Sequence, residues 1–154
     1  MLEKKSSAFT TYCRGYENVL SNLVEVAPAY DPESGFSRSL FRKYRAVWDT
    51  GATHSAITSQ VVRDFALRAT GMAVVYDATT TQNVHTYSVN ILLPNHVEFS
   101  DWEVAEAGGL VGDEDILIGM DIIGTGDFAV SNKERTVFTF RYPSQEEISF
   151  SRQT

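Results

Sequence analysis

The stretch Ala46-Val47-Trp48-Asp49-Thr50-Gly51-Ala52-Thr53-His54-Ser55-Ala56-Ile57 decides how this chain is read. A short apolar strand, Tyr44 to Trp48, runs straight into an acid, and the acid is followed by a hydroxyl residue, a glycine and a small residue. The order has a physical logic. The strand buries the approach to Asp49, Gly51 lets the backbone turn tightly, and Ala52 leaves room for another group to come close. The plain alternative is a turn aspartate that only caps neighbouring amides.

Room beside an acid matters if a second copy of the same turn approaches it. Two carboxylates around one water cannot both ionise readily, so they share a proton and their apparent pKa values split. The ionised partner can deprotonate the water while the protonated one donates to a substrate carbonyl, which is general acid–base hydrolysis of an amide without cofactor or metal. Asp-Thr-Gly occurs once in the chain, and Gly124-Thr125-Gly126-Asp127 holds the same letters in an unusable order. The second carboxylate then has to come from a second chain, in a twofold-symmetric homodimer.

Downstream, Asp115-Ile116-Leu117-Ile118-Gly119-Met120-Asp121-Ile122-Ile123 supplies an apolar run, a glycine and the start of a short helix. Together with the Asp49 turn it resembles the retropepsins, the aspartic peptidases of retroviral and retrotransposon type, in a bacterial single-domain form. The similarity runs over roughly Tyr44 to Pro143. The resemblance implies a closed, barrel-like β domain, homodimeric, that hydrolyses protein or peptide substrates. It implies that Asp49 activates the water, that Thr50 braces the paired turns across the dimer axis, and that Gly51 lies near that axis. Ala52 would lie along the substrate main chain, and Ile118 and Gly119 would support the turn from beneath. The hairpin from about Val75 to Tyr87 takes the position of the family's flap, with Thr79, Thr80, Thr81, Gln82 and Asn83 as a substrate-contacting tip. Flap tips in the family often contain glycine, and this one has none. The competing function on the same fold is a catalytically weak or inactive dimerisation or peptide-binding module.

Outward from these motifs the chain is strand-rich. Val19 to Val26 reads as a first strand, and Tyr30 to Ser39, with Pro32 and Gly35, as a loop. Val61, Val62, Phe65 and Ala66 suit one face of a short helix capped by Thr58 or Ser59. Met72 to Tyr76 is apolar and β-branched. His85 to Leu93 alternates, and Val97 to Ala105 alternates with a slip between Phe99 and Trp102. Phe128 to Val130 and Thr136 to Phe140 form a closing hairpin turned at Asn132-Lys133-Glu134. The expected class is mainly β with one or two short helices. Residues 1–18 are assigned to an aperiodic N-terminal arm, 19–143 to the domain and 144–154 to a tail.

At 154 residues and 43% hydrophobic content the chain can build one ordinary core. A net charge of −7 argues against a nucleic-acid partner, which needs clustered Lys and Arg. Apolar runs are too short for a membrane span, so the expected location is cytoplasmic. Cys13 is the single cysteine, which excludes an intrachain disulfide. The three histidines, His54, His85 and His96, fit no zinc spacing. Gly108, Gly109 and Gly112 are not followed by the Gly-Lys-Ser or Gly-Lys-Thr of a phosphate loop. An Asp-x-Gly turn also holds phosphates in actin-like kinases, but that two-lobed fold needs a far longer chain.

Overall fold

The computed structural model describes residues 5–30, 40–110 and 112–151. In chain order the elements are β1 (Ser7–Tyr12), β2 (Ser21–Pro28), β3 (Arg42–Trp48), β4 (Ala56–Thr58), α1 (Ser59–Asp64), β5 (Gly71–Tyr76), β6 (Thr81–Leu92), β7 (Glu98–Ala107), β8 (Ile116–Ile118), α2 (Met120–Ile123), β9 (Asp127–Ser131) and β10 (Val137–Tyr142). The expected mainly β class with short helices is what the chain adopts. The predicted loop Tyr30 to Ser39 lies, beyond Tyr30, outside the described residues.

One sheet runs β2-β3-β8-β4-β7-β6-β5, and an additional pairing of β2 with β6 closes six of its strands into a barrel. Closure leaves β5 outside the ring. The reason is that β6 uses the same edge twice: Thr81 to Thr86 pairs with β5, whereas Val89 to Leu92 pairs with β2. Its first residues are exposed and its last four buried, so the β5–β6 hairpin overhangs a barrel in which its second strand is rooted.

The slip predicted between Phe99 and Trp102 is a β-bulge. Val89 pairs with Trp102 but Ile91 pairs with Phe99, so β7 carries an extra residue against β6. Asp101 absorbs the excess at a φ of 51°, and the Asn90 side chain accepts its amide at 2.8 Å. The extra residue restores the inward direction of Val104 after Phe99.

A second sheet, ordered β1-β10-β9, covers the barrel. Residues 1–18 were expected to form an aperiodic arm, but Ser7 to Tyr12 pairs along the whole of β10. The polar sequence of β1 hides it from patterning, because only one face of this edge strand is apolar-facing and Phe9 alone among its residues enters an aromatic cluster. The cluster surrounds Trp48, which stacks on Phe128 at 5.8 Å and tilts against Phe9 and Phe140 at 5.4 Å each. Phe138 and Phe140 are fully buried there. Burying side chains of this size stabilises a fold by roughly 1.5–3 kcal/mol each. Trp48 is the residue immediately before Asp49, so this aromatic cluster fixes the end of the strand that carries the acid.

Candidate active site

The two sequence motifs meet because of strand order. Strand β8 lies between β3 and β4, the strands that lead into and out of the Asp49 turn, parallel to the first and antiparallel to the second. Trp48 and Ile118 are in register, and the Asp49 amide donates to the Ile118 carbonyl at 2.9 Å. Beyond Ile118 the chain passes directly under the turn. The amides of Met120 and Asp121 donate to the carbonyls of Ala52 (2.8 Å) and Thr53 (3.2 Å). A Cβ on Gly119 would lie 2.7 Å from the carbonyl carbon of His54 and 3.0 Å from the Ala52 oxygen. Only glycine allows that approach, and the obstacles are backbone atoms that cannot step aside.

Asp121 locks the arrangement. Its carboxylate accepts the Ser55 amide (3.0 Å), the Ser55 hydroxyl (2.8 Å), the Trp102 indole N–H (3.0 Å) and the Ile122 amide (3.0 Å). Ser55 is fully buried, and its oxygen in turn accepts the Gly119 amide at 3.1 Å. No reading of the sequence singled out Asp121 or Ser55. The signal was a buried-polar pair, one serine after the turn and one aspartate after the glycine, whose meaning depends on the crossing of β8.

A similar substitution of partners occurs at α1. Thr58 is the N-cap residue, but its side chain caps nothing there; its hydroxyl donates instead to Asp115 at 2.6 Å. This ties the start of α1 to the residue that opens β8.

Asp49 itself is half-buried, with one carboxylate oxygen accepting the Gly51 amide at 2.8 Å. Thr50 and Gly51 are exposed, and the Thr50 hydroxyl has no hydrogen-bond partner among the described residues. Beside the turn opens a cleft of about 470 Å³. Gly51, Ala52, Thr53 and His54 line one part of it, Ala73 to Tyr76 of β5 another, and Glu103 to Ala107 of β7 a third. Of the residues singled out from sequence, Gly51 and Ala52 line this space, while Ile118 and Gly119 do not.

The tip residues are distributed differently from the expectation. The reversal is Asp77 to Thr80, and Thr81, Gln82 and Asn83 are strand residues paired with Tyr76, Val75 and Val74. None of Thr79 to Asn83 lines the cleft; the hairpin residues that do are Ala73, Val74, Val75 and Tyr76 of β5 and Thr86 of β6, with Tyr76 78% exposed. The missing glycine is compensated by Asp77. Its carboxylate accepts the amides of Thr79 (2.7 Å) and Thr80 (2.9 Å) and both threonine hydroxyls, and its own amide donates to the Thr80 carbonyl at 3.0 Å. The amide bonds first, then the hydroxyls, hold the Asp77 carboxyl down at about 2.

Asp127, of the misordered Gly124-Thr125-Gly126-Asp127, is committed elsewhere. Ser144, the Gln145 amide and Arg141 surround its carboxylate in the second sheet and hold it at about 2. Among the described residues no group of three or more His, Cys, Asp or Glu side chains could hold a metal ion, and no helix is long and apolar enough to cross a membrane.

No family model matches the sequence, and no curated protein does. Solved structures do match the fold. A retropepsin-like aspartic protease from Rickettsia conorii superimposes with a TM-score of 0.57 at 13% identity, covering 94% of this chain and 100% of that one. The protease of simian foamy virus (mac) matches with a TM-score of 0.42 at 16% identity, over 67% of this chain and 92% of that one. The chain has a retropepsin-like fold, as the first of these matches and the closed barrel show.

Proposed function

We propose that this protein is an aspartic endopeptidase that acts as a homodimer, with one Asp49 from each chain around a single water. The observation that carries the proposal is the presentation of Asp49. A backbone fastened by Ile118, Met120 and Asp121 delivers one acid to a half-exposed position beside a cleft, with one carboxylate oxygen free of any partner among the described residues. A structural turn aspartate has no need of such bracing. The exposed Thr50 hydroxyl, also unpartnered, supports a neighbour arriving at the same surface.

In the dimer one Asp49 is protonated and the other ionised, since two adjacent carboxylates share a proton. The ionised carboxylate takes a proton from the water as its oxygen bonds to the scissile carbonyl carbon, and the protonated one donates to the carbonyl oxygen. Collapse of the tetrahedral intermediate returns the hydroxyl proton to a carboxylate and delivers a proton to the leaving nitrogen. An extended peptide fits the cleft because β5 is an edge strand, whose outer backbone groups are available to pair with it. The β5–β6 hairpin then serves as the flap.

Digestion of a mixed peptide library between acidic and neutral pH, with wild type beside Asp49→Asn, tests the proposal. The substitution is expected to lower kcat by on the order of 10²–10⁴-fold. Sedimentation at the assay concentration should show a dimer. Cleavage equal in both proteins, or full activity from a strict monomer, removes it.

A further inference from the structure

Strand β5 is the last strand of the barrel sheet, and its outer side pairs with no strand among the described residues. Open edges are normally blunted by lysine, proline or a bulge, because a row of unpaired N–H and C=O groups templates another strand. Gly71-Met72-Ala73-Val74-Val75-Tyr76 carries no charge and no proline, and it pairs with β6 residue for residue without a bulge. Nothing in β5 itself keeps a further strand away.

Register assigns the two faces of the hairpin. Ala73 and Val75 share the face of Thr86, which continues in register through Ala105 and Ala56 to Leu117; these last four all line the cleft. Met72, Val74 and Tyr76 project to the opposite face, beside His85, Asn83 and Thr81. They are 64%, 48% and 78% exposed. In a chain of net charge −7, no Asp, Glu, Lys or Arg stands among the residues of this outer face.

Exposed apolar side chains scattered singly need no explanation, but these form a row on one face, and the row is continuous with the cleft. Val74 and Tyr76 border the cleft as well as Ala73 and Val75. A space lying under one face of a strand is bordered by alternate residues, whereas four consecutive ones border a space that runs along the strand's free edge. A peptide laid on that edge extends the sheet, and its side chains alternate between the faces. One set meets Ala73, Val75 and the cleft floor. The other meets Met72, Val74 and Tyr76, where an apolar side chain removes apolar surface from water and a polar one does not.

We infer that β5 reads a bound peptide on both faces, with Met72, Val74 and Tyr76 as specificity determinants, so that the substrate is an uninterrupted apolar run rather than an alternating one. Uninterrupted runs are the sequences that folded proteins bury on both sides of a sheet, so the substrate class is chain that has unfolded or not yet folded. The inference rests on the peptidase reading for the word substrate, but the selection itself is a property of binding.

It is measured on Asp49→Asn, by fluorescence anisotropy with short labelled peptides that carry lysines at both ends for solubility. The core is all valine, or valine alternating with threonine, a β-branched residue of the same shape. An alternating core can slide by one residue and present valine to the cleft floor in either phase, so a one-faced site binds both cores equally. A two-faced site should bind the uninterrupted core about fivefold or more tighter. Met72→Gln, Val74→Thr and Tyr76→Thr together, all at exposed positions, should bring that ratio to near one. Val74→Lys with Tyr76→Lys should instead favour valine alternating with glutamate, a gain that a misfolded protein does not produce. Equal affinity for the two cores, no binding of either, or a ratio that survives the triple substitution overturns the inference. Wild-type digestion of the same peptides separates the two proposals. Asp49-dependent cleavage with the same kcat/KM for both cores sinks the two-faced reading alone. A preference for the uninterrupted core in binding, with no cleavage, sinks the peptidase reading alone.

Discussion

The Asp49 turn and the tip of the β5–β6 hairpin are both tight reversals built around an aspartate, and they are held in opposite ways. The Asp49 turn is fastened from outside: Ile118, Met120 and Asp121, distant in sequence, bond to its backbone, Gly119 bonds to the Ser55 hydroxyl, and Trp48 anchors its approach in the aromatic cluster. The hairpin tip is fastened only by itself, since every bond of Asp77 goes to residues two or three positions along. Long-range bracing makes a turn as rigid as the core behind it. Local bracing keeps a turn's shape while leaving the whole hairpin free to move as a unit. The peptidase we propose, which holds an acid still and lets a peptide in, needs one of each.

Three substitutions would sharpen or break this contrast. Trp48→Ala removes the anchor common to both sheets and should cost about 3–5 kcal/mol of stability, read from the urea midpoint. A loss below about 1 kcal/mol would mean that the turn does not depend on the aromatic cluster. Gly119→Ala forces a methyl into the backbone of His54 and Ala52 and should cost about 2–4 kcal/mol. Activity should fall further than stability explains, because the displaced atoms belong to the turn itself. Asp77→Ala should leave the global unfolding midpoint nearly unchanged and speed amide exchange at Thr79 and Thr80 alone. The wild-type tip carries its own pH signature. Because the folded-state pKa of Asp77 is depressed to about 2, its stabilisation is complete above the ordinary carboxylate range and is lost as pH falls through about 2. Thr79 and Thr80 amide shifts followed by NMR should titrate there; invariance down to that pH would show that the carboxylate does not hold the tip.

The same contrast explains what was legible in the sequence. Strands with one buried face announce themselves by alternation, and the slip in β7 was visible as a break in period. The Asp49 turn was legible only together with the run Ile116 to Gly119, and the structure sets the two side by side. Strand β1 was not, since Ser7, Thr10 and Thr11 reveal nothing until β10 is laid beside them. The tip was misplaced toward Gln82 and Asn83 because polar residues mark a turn statistically, whereas Asp77 marks it by mechanism. Asp121 was overlooked for a related reason: its four donors come from three separate segments, and no local pattern encodes their convergence.

The pairing of β1 with β10 has a consequence for how the molecule is made. Strand β1 leaves the ribosome well ahead of its partner, which is synthesised about 130 residues later, since Phe9 faces Phe140. Until then the nascent barrel presents Trp48 without the aromatic lid of Phe128, Phe138 and Phe140, and an extended N-terminal segment waits unpaired. Contacts of such long sequence separation form late and slowly. The interval before the last hairpin arrives is therefore the window in which this chain is most exposed to aggregation and to capture by chaperones.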